Sequence, residues 1–230
     1  MIKNTCCSLE DMPKNTATEI DDYLNAKFAA ELVAERNAFE MRRVKAALEY
    51  NRLDSLVDKY NLKNFIIHEE WQRPIKELAR RFVRMLKTDA WFLAAGQTGA
   101  GKTHICTAIV GEFLKIDIPV RYMLWREDIS KIKPISNSVE AAQQEMKKLK
   151  TAPCLYIDDL FKGEPTAADI KAAFELIDAR YRNNLKTIIS TERYPSELTG
   201  IDAAISGRIL EKSKGFIAVI GRDSAKNQRL

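Results

Sequence analysis

The feature that most constrains this chain is the octapeptide GQTGAGKT at residues 96–103, which combines three glycines with a lysine–threonine pair. An apolar run at 91–95 precedes it, and a helix is predicted to begin near Lys102. Glycines at this spacing let successive backbone N–H groups point into one concave loop, and the start of the following helix adds partial positive charge. The octapeptide therefore predicts an α/β fold with a phosphate-binding loop.

The residues of this loop have expected roles in binding Mg-ATP. Lys102 is expected to reach the β- and γ-phosphates, and Thr103 is expected to place its hydroxyl on Mg²⁺. The loop backbone should surround the phosphates. The residues assigned to nucleotide binding are Gly96, Gln97, Thr98, Gly99, Ala100, Gly101, Lys102, Thr103 and the following His104.

A second segment of the site is expected at residues 154–159, where an apolar run ends in two adjacent aspartates. This has the form of a Walker B segment. We expect Asp158, with Thr103, to hold Mg²⁺, and Asp159 to orient the attacking water as a catalytic residue. The aspartate pair favours hydrolysis over binding alone. A buried strand that ends at turn-forming aspartates is the alternative.

Five short apolar runs predict the strands of a parallel sheet. The segments between them read as helices, and in the one at 166–182 the residues Ile170, Ala173, Phe174 and Ile177 share a face. Strands separated by helices indicate a parallel sheet that is covered on both faces. The runs lie at 91–95, 120–124, 154–157, 187–189 and 216–220.

The fourth run continues into Thr191 and Glu192. The carboxyl ends of parallel strands face the ligand crevice, so one of these side chains is expected near the γ-phosphate or the attacking water. The alternative is that both are ordinary polar residues at a strand end.

The N-terminal part of the chain is predicted to be helical, because residues 14–73 contain neither glycine nor proline. Thr16 and Glu19 have capping-box spacing, and apolar residues then recur at helical intervals. We expect one or two amphipathic helices over residues 16–60, and divide the chain into a helical segment, 1–60, and an α/β domain, 61–230. Such helices need a surface to pack on, either their own domain or another protein.

Charge and hydropathy limit the possible partners. Residues 1–60 contain nine Lys/Arg and eleven Asp/Glu, a balance of −2, so residues 61–230 carry +7 and the whole chain +5. A basic ATPase domain fits a phosphate-rich partner such as nucleic acid, although good solubility alone is the alternative. No apolar run approaches the ~18 residues of a membrane span, and the polar start is no signal peptide, so we expect a cytoplasmic protein without a membrane partner.

The order of these motifs, followed by the segment SGRI at residues 206–209, resembles the AAA+ ATPases of the DnaC/DnaI helicase-loader group, including phage versions, and the related IstB transposition ATPases. The resemblance covers about residues 60–230. It implies a P-loop AAA+ ATPase core with a parallel five-stranded sheet flanked by helices, no C-terminal lid domain, and a preceding helical N-terminal segment.

The resemblance also implies roles for individual residues. Arg208 would be an arginine finger that reaches the γ-phosphate in a neighbouring subunit, so the site would be completed only by nucleotide-dependent self-assembly. A surface arginine on a helix is the alternative. Glu192 stands where the family usually has asparagine, and its charge would repel a γ-phosphate unless it pointed away or contacted water. Thr191 is therefore the catalytic candidate at this strand end.

Two partners are implied, a DnaB-type hexameric replicative helicase, gripped by the N-terminal helices, and single-stranded DNA. Basic residues interleaved with Tyr122 and Trp125 suit a strand-tracking surface, and a solvated helix face plus one core tryptophan is the alternative. The predicted function is an ATP-dependent helicase loader. The alternatives are an IstB-like transposition ATPase on duplex DNA and a nucleotide-gated protein adaptor. The basic residues are Arg121, Arg126, Lys131, Lys133, Lys147, Lys148 and Lys150, with Arg222, Lys226 and Arg229 near the C-terminus.

Overall fold

The computed structural model describes residues 22–32, 35, 53–86, 88–133, 139–223 and 226. The chain divides into two compact units, Met1–Ala46 and Ala47–Leu230. In the first unit, residues 22–32 form a helix, α1. The predicted capping box before this helix lies outside the described residues. Within the described ranges, no helix combines the length and the apolar character needed to cross a bilayer.

The second unit is built on a five-stranded sheet with the strand order β2-β3-β4-β1-β5. Every neighbouring pair of strands is parallel. The predicted fold class is therefore confirmed. The strands are β1 Phe92–Gly96, β2 Val120–Leu124, β3 Cys154–Asp158, β4 Lys186–Thr191 and β5 Ile217–Ile220.

Helices cover both faces of this sheet. On one side α2 and α3 pack against α4, and on the other α5, α6, α7 and α9 pack in sequence, with α8 against α9. The helices are α2 Asp54–Lys59, α3 Gln72–Arg84, α4 Lys102–Lys115, α5 Trp125–Ile132, α6 Val139–Thr151, α7 Ala167–Arg182, α8 Pro195–Ile201 and α9 Ala203–Lys212.

Alternate residues of β1 enter the two core layers. Leu93 belongs to the cluster formed with α5, α6, α7 and α9. Phe92 points to the other layer, where its ring lies 5.3 Å from the ring of Phe82 in α3. The ring centroid of Phe82 in turn lies 5.8 Å from that of Phe113 in α4. Because both faces are buried, the strand is a continuous apolar run rather than an alternating one.

The helix α2 lies in the second compact unit, whereas the sequence placed these residues in the helical segment 1–60. Leu53, immediately before α2, is fully buried. Val57 packs on α4 so closely that a Cβ added at Gly111 would lie 3.0 Å from its Cγ1. The structural division therefore falls between Ala46 and Ala47.

The predicted helix at 166–182 begins at Ala167, with Thr166 as a capping-box residue that exchanges hydrogen bonds with Asp169. Ala173 and Ile177 face the core as expected. Phe174 does not, because it lies on the edge of this face, partly exposed, beneath the guanidinium of Arg208 at 5.1 Å.

Candidate functional site

The loop between β1 and α4 adopts a conformation that requires glycine at several positions. Gly96, Gly99 and Gly101 have φ values of 114°, 78° and 80°, in the region that side chains disfavour. At Gly96 a Cβ would also lie 2.1 Å from the carbonyl oxygen of Ile220 on β5. Helix α4 begins at Lys102. The loop thus presents the first N–H groups of α4, which have no acceptor within the helix, to a bound anion.

Lys102 is buried at the base of this loop. Its Nζ donates hydrogen bonds to the carbonyl oxygens of Gly96 at 2.9 Å and Gln97 at 2.7 Å. An ammonium group has three donors, and these two bonds with described residues use two of them. Burial lowers the pKa of Lys102, while the nearby charges of Glu192 and Asp159 act in the opposite direction. The cation is therefore held close to carboxylates and the loop backbone.

Asp158 is a buried carboxylate surrounded by hydroxyl groups. Its Oδ1 accepts hydrogen bonds from Thr103 at 3.2 Å, from Tyr156 at 2.8 Å and from Ser190. Its Oδ2 accepts one from Tyr122 at 3.1 Å. Burial, with the Asp158 charge next in size, raises the pKa of Tyr156 well above its ordinary value, so this phenol remains a donor.

The oxygen donors of Thr103 and Asp158 suit Mg²⁺. This cation prefers hard oxygen ligands, retains several waters, and is usually held by one or two carboxylates together with substrate phosphates. One carboxylate and one hydroxyl beside a phosphate-binding loop match that preference. Thr103 and Asp158 are therefore the residues that would hold the ion.

Asp159 lies in a tight turn after β3, with a φ of 57°. Its N–H donates to Ser190 Oγ at 2.9 Å, which fixes the turn against β4. Its Oδ2 accepts a hydrogen bond from Lys162 Nζ at 2.7 Å, and Lys162 lies 3.3 Å from Glu192 Oε1. No role for Lys162 follows from the sequence pattern. Its spacing of three residues from Asp159 is the one signal that could have indicated the contact.

The two polar residues at the end of β4 point in different directions. Thr191 is buried, and its hydroxyl donates to the Leu160 carbonyl at 2.7 Å and accepts from the Arg193 N–H at 3.1 Å. Glu192 instead lines the P-loop cavity. Burial alone would raise the pKa of Glu192, but hydrogen bonds from Thr98 and Lys162 and the charges of Lys162 and Lys102 bring it below its ordinary value. Glu192 therefore faces the cavity, whereas the sequence analysis named Thr191 as the catalytic candidate at this strand end.

Two adjoining cavities lie over this edge of the sheet. One, of about 220 Å³, is lined by six of the predicted site residues, and the other, of about 640 Å³, is lined by Gln97 and Thr98 among others. Lys162 and Glu192 line both. The smaller cavity is lined by Tyr60, Gly99, Gly101, Lys102, Thr103, His104, Asp159, Lys162 and Glu192. The larger is lined by Gln97, Thr98, Phe161, Lys162, Gly163, Glu192, Arg193, Arg222 and Asp223.

His104 connects the P-loop helix to the segment that precedes α3. Its ring centroid lies 5.0 Å from those of Tyr60 and Phe65. Its Nε2 lies 3.2 Å from the Asn61 carbonyl oxygen and 3.1 Å from Asn64 Oδ1. Both partners are acceptors, so this nitrogen carries the proton. Burial lowers the pKa of His104. His104 thus packs against Tyr60, which lines the cavity. The sequence pattern gave no indication that Tyr60 belongs to the site.

Arg208 lies away from the P-loop cavity of its own chain. Its Nε and Nη2 contact Asp178 Oδ1 at 3.0 and 2.9 Å, and Nη1 donates to the Ala204 carbonyl at 2.9 Å. None of these partners lines either cavity described above. This position agrees with an arginine finger that acts on a neighbour, and equally with a surface arginine, so the catalytic assignment stays a prediction.

The basic stretch at 121–150 matches the alternative of a solvated face with one core tryptophan. Trp125 is buried, and its ring lies 5.3 Å from that of Phe161. The Tyr122 hydroxyl is bonded to Asp158. Base stacking on these two rings is therefore not supported. Most of the basic side chains are paired with acidic ones, namely Arg121 and Lys148 with Glu145, Lys131 with Asp128, Lys133 with Asp169 and Lys150 with Glu175.

Comparison with known proteins places these features in context. The profile of the family described as IstB-like ATP binding protein matches residues 9–212. The phage-like element PBSX protein XkdC of Bacillus subtilis (strain 168) is 32% identical over 142 residues, which cover 59% of this chain and 52% of that protein. The chain spans about half the length of the curated relatives it matches.

Two solved structures have the same fold. The crystal structure of DnaI superposes with a TM-score of 0.60 at 18% identity, over 73% of this chain and 93% of that one. The crystal structure of the DnaC helicase loader gives a TM-score of 0.60 at 19% identity, over 72% and 97% of the two chains. These likenesses show that the chain shares the fold of these two proteins.

Proposed function

The chain belongs to the family of IstB-like ATP-binding proteins, a relationship that the order of its motifs predicted, and on this premise we propose that it is an ATP-dependent loader of a hexameric replicative DNA helicase. The observation that carries the proposal is the meeting of Lys102, Thr103 and Asp158 beside Asp159 at one edge of the sheet. The likeness to the DnaI and DnaC folds supports the choice of a loader.

Each side chain at this edge has a separate role in ATP hydrolysis. Mg-ATP supplies the phosphoryl group that water attacks. Lys102 provides a fixed cation at the P-loop, and Thr103 with Asp158 offers oxygen ligands to Mg²⁺. Asp159 accepts a hydrogen bond from the attacking water and orients it. The first N–H groups of α4 stabilise the charge on the phosphates.

Arg208 completes the site in a neighbouring subunit. Its guanidinium is directed at Asp178 within its own chain, and its side chain is 27% exposed. Arg208 can therefore reach a second copy only by giving up this part-buried ion pair with Asp178. ATP between two subunits is the ligand that makes this exchange favourable, which is why self-assembly depends on nucleotide.

The surface proposed to bind the helicase is apolar, whereas the contact with DNA depends on charge. On α1, Phe28 and Leu32 lie one turn apart and are 61% and 67% exposed, which suits insertion into an apolar groove of the helicase. Contact with single-stranded DNA rests on charge rather than on Trp125, because that ring is in the core. DNA binding of this kind is strongly weakened by salt and shows little sequence preference.

The test is native mass spectrometry of the full chain with a hexameric replicative helicase, with and without ATP. A discrete complex is expected for the parent chain. The double variant Phe28→Glu/Leu32→Glu should lose it, whereas Ala29→Glu/Ala30→Glu, which adds the same charge at exposed positions of α1, should retain it. Absence of a complex in every nucleotide state would overturn the loader proposal.

An IstB-like ATPase that assembles on duplex DNA is the second candidate, favoured by the family profile itself, which extends over α1. Fluorescence anisotropy with matched single-stranded and duplex oligonucleotides separates the two functions. ATP-dependent assembly on duplex DNA, without a helicase complex, would favour the transposition function. A preference for single strands would favour the loader.

A further inference from the structure

The surroundings of Lys162 point to a second cation in the nucleotide site. We propose that Lys162 contacts the terminal phosphate of ATP and thereby lets the protein distinguish ATP from ADP, with Glu192 as its positioning residue. This inference rests on the proposed function, since it requires that the P-loop binds adenine nucleotides.

The position of Lys162 is the first support. It lines the P-loop cavity together with Lys102 and Thr103, and it also lines the adjoining larger cavity. Its side chain is one-third exposed, so the ammonium group is accessible to a ligand that enters either space. Among the described residues that line these two cavities, it is the one lysine outside the P-loop itself.

Charge balance is the second support. Asp159 and Glu192 both line the small cavity, and two carboxylates there would repel a polyphosphate. Lys162 lies between them, 2.7 Å from Asp159 Oδ2 and 3.3 Å from Glu192 Oε1. Although burial alone would lower the pKa of Lys162, the two carboxylates raise it above its ordinary value, so the side chain is charged. Glu192 therefore acts through a cation rather than directly on phosphate.

The fixed backbone and the long side chain of Lys162 are the third support. Lys162 extends from a turn in which Asp159 and Phe161 have φ values of 57° and 56°, and Lys162 N–H is bonded to the Asp159 carbonyl at 3.0 Å. The backbone is thus fixed while the four-carbon stem can rotate. An ammonium with three donors can keep Glu192 as a partner and add a phosphate oxygen.

A purely structural role for Lys162 predicts a different result. A lysine that only holds the turn after β3 against β4 would affect the stability of the protein without nucleotide. It would affect the binding of ATP and ADP equally. The ratio of the two dissociation constants therefore separates recognition of the terminal phosphate from a structural clamp.

The experiment measures Kd for fluorescent ADP and for a fluorescent non-hydrolysable ATP analogue, with Mg²⁺, on the full chain. Lys162→Met should weaken ATP-analogue binding about 10- to 100-fold, the range for loss of one charge-assisted hydrogen bond, and ADP binding by less than about threefold. Lys162→Arg should restore most of the ratio. Lys133→Met is the matched control, because Lys133 forms a similarly half-buried ion pair with Asp169 outside the site.

The double variant Lys162→Met/Glu192→Gln tests whether the lysine only neutralises its neighbour. If ATP binding returns to the parent value, direct contact with phosphate is overturned. An unchanged ratio in Lys162→Met overturns it as well, and thermal unfolding without nucleotide, compared with Lys133→Met, shows whether the variant is folded. If the parent chain binds neither nucleotide, the proposed function fails instead, and the two failures are distinguishable.

Discussion

The hydroxyl oxygen of Thr103 lies 3.2 Å from Oδ1 of Asp158, although the two residues are 55 positions apart in the chain. The sheet order explains the meeting, because β4 lies between β3 and β1 and all three strands end at the same edge. Ser190, on β4, donates to the same carboxylate oxygen. The carboxylate is thus oriented by the protein's own hydroxyls.

Replacement of Asp158 by asparagine should therefore reduce both stability and Mg²⁺-dependent nucleotide binding. An amide keeps one acceptor oxygen and replaces the other with an NH₂ donor, so it cannot accept from Tyr122 and from the hydroxyls of Thr103, Tyr156 and Ser190 at once, as the carboxylate does. We expect a loss of about 1–3 kcal/mol in the free energy of unfolding, measured by urea denaturation. Tyr122→Phe, which removes one donor from the same group, should cost about 1 kcal/mol or less. Equal stability of Asp158→Asn and the parent would contradict this account.

Gly96 should be irreplaceable for steric reasons. A Cβ there would lie 2.1 Å from the Ile220 carbonyl oxygen, at a φ of 114°. We expect Gly96→Ala to cost about 3 kcal/mol or more in unfolding free energy, because both backbone strain and the clash with β5 must be relieved. Gly207→Ala is the control, since it lies within α9 with open space around it. That variant should be unchanged or more stable by about 1 kcal/mol.

Arg208→Ala should retain ATP binding and lose hydrolysis by about 10³-fold or more, the range for an arginine finger. Arg182→Ala provides an unusually close control, because Arg182 and Arg208 bind the same carboxylate, that of Asp178. Arg182→Ala should therefore keep its turnover, measured as phosphate release at saturating ATP. Parent-like turnover in Arg208→Ala would remove this residue from the site.

A mixing experiment tests whether Arg208 acts between subunits. Asp159→Asn and Arg208→Ala should each be inactive alone. A mixture should regain part of the activity, because a site with intact Asp159 can then receive Arg208 from the other variant. If Arg208 acted within its own chain, no combination of the two variants would restore hydrolysis.

The strands and the P-loop could be predicted because their signals are local. Strands buried on both faces are apolar runs, and a loop with φ values such as 114° at Gly96 must use glycine. Side-chain direction is not local. Arg180 reads as a polar residue of α7, yet it is fully buried and donates to Thr187 and to three carbonyl groups. Trp125 and Lys162 were placed by the same kind of tertiary packing, which spacing along one chain does not encode.

His104 should titrate below its ordinary pKa of 6.5, because burial against Tyr60 and Phe65 disfavours the imidazolium. The chain has two histidines, His68 and His104, so their ring signals can be followed separately by NMR as the pH is varied. Assignment comes from the signal that disappears in His104→Gln. A His104 signal that titrates at or above 6.5 would show that burial does not control this group.

The same shift makes stability depend on pH in a defined direction. As pH falls below 6.5, the unfolded chain takes up a proton at His104 that the folded chain does not, so this group lowers the free energy of unfolding until the pH passes the folded pKa. The effect is limited to about 1.4 kcal/mol per pH unit. His104→Gln keeps a donor for Asn61 and Asn64 without titrating. Its unfolding free energy should therefore fall less than that of the parent between about pH 7.5 and 5.5, and parallel curves for the two proteins would show that His104 is not linked to folding.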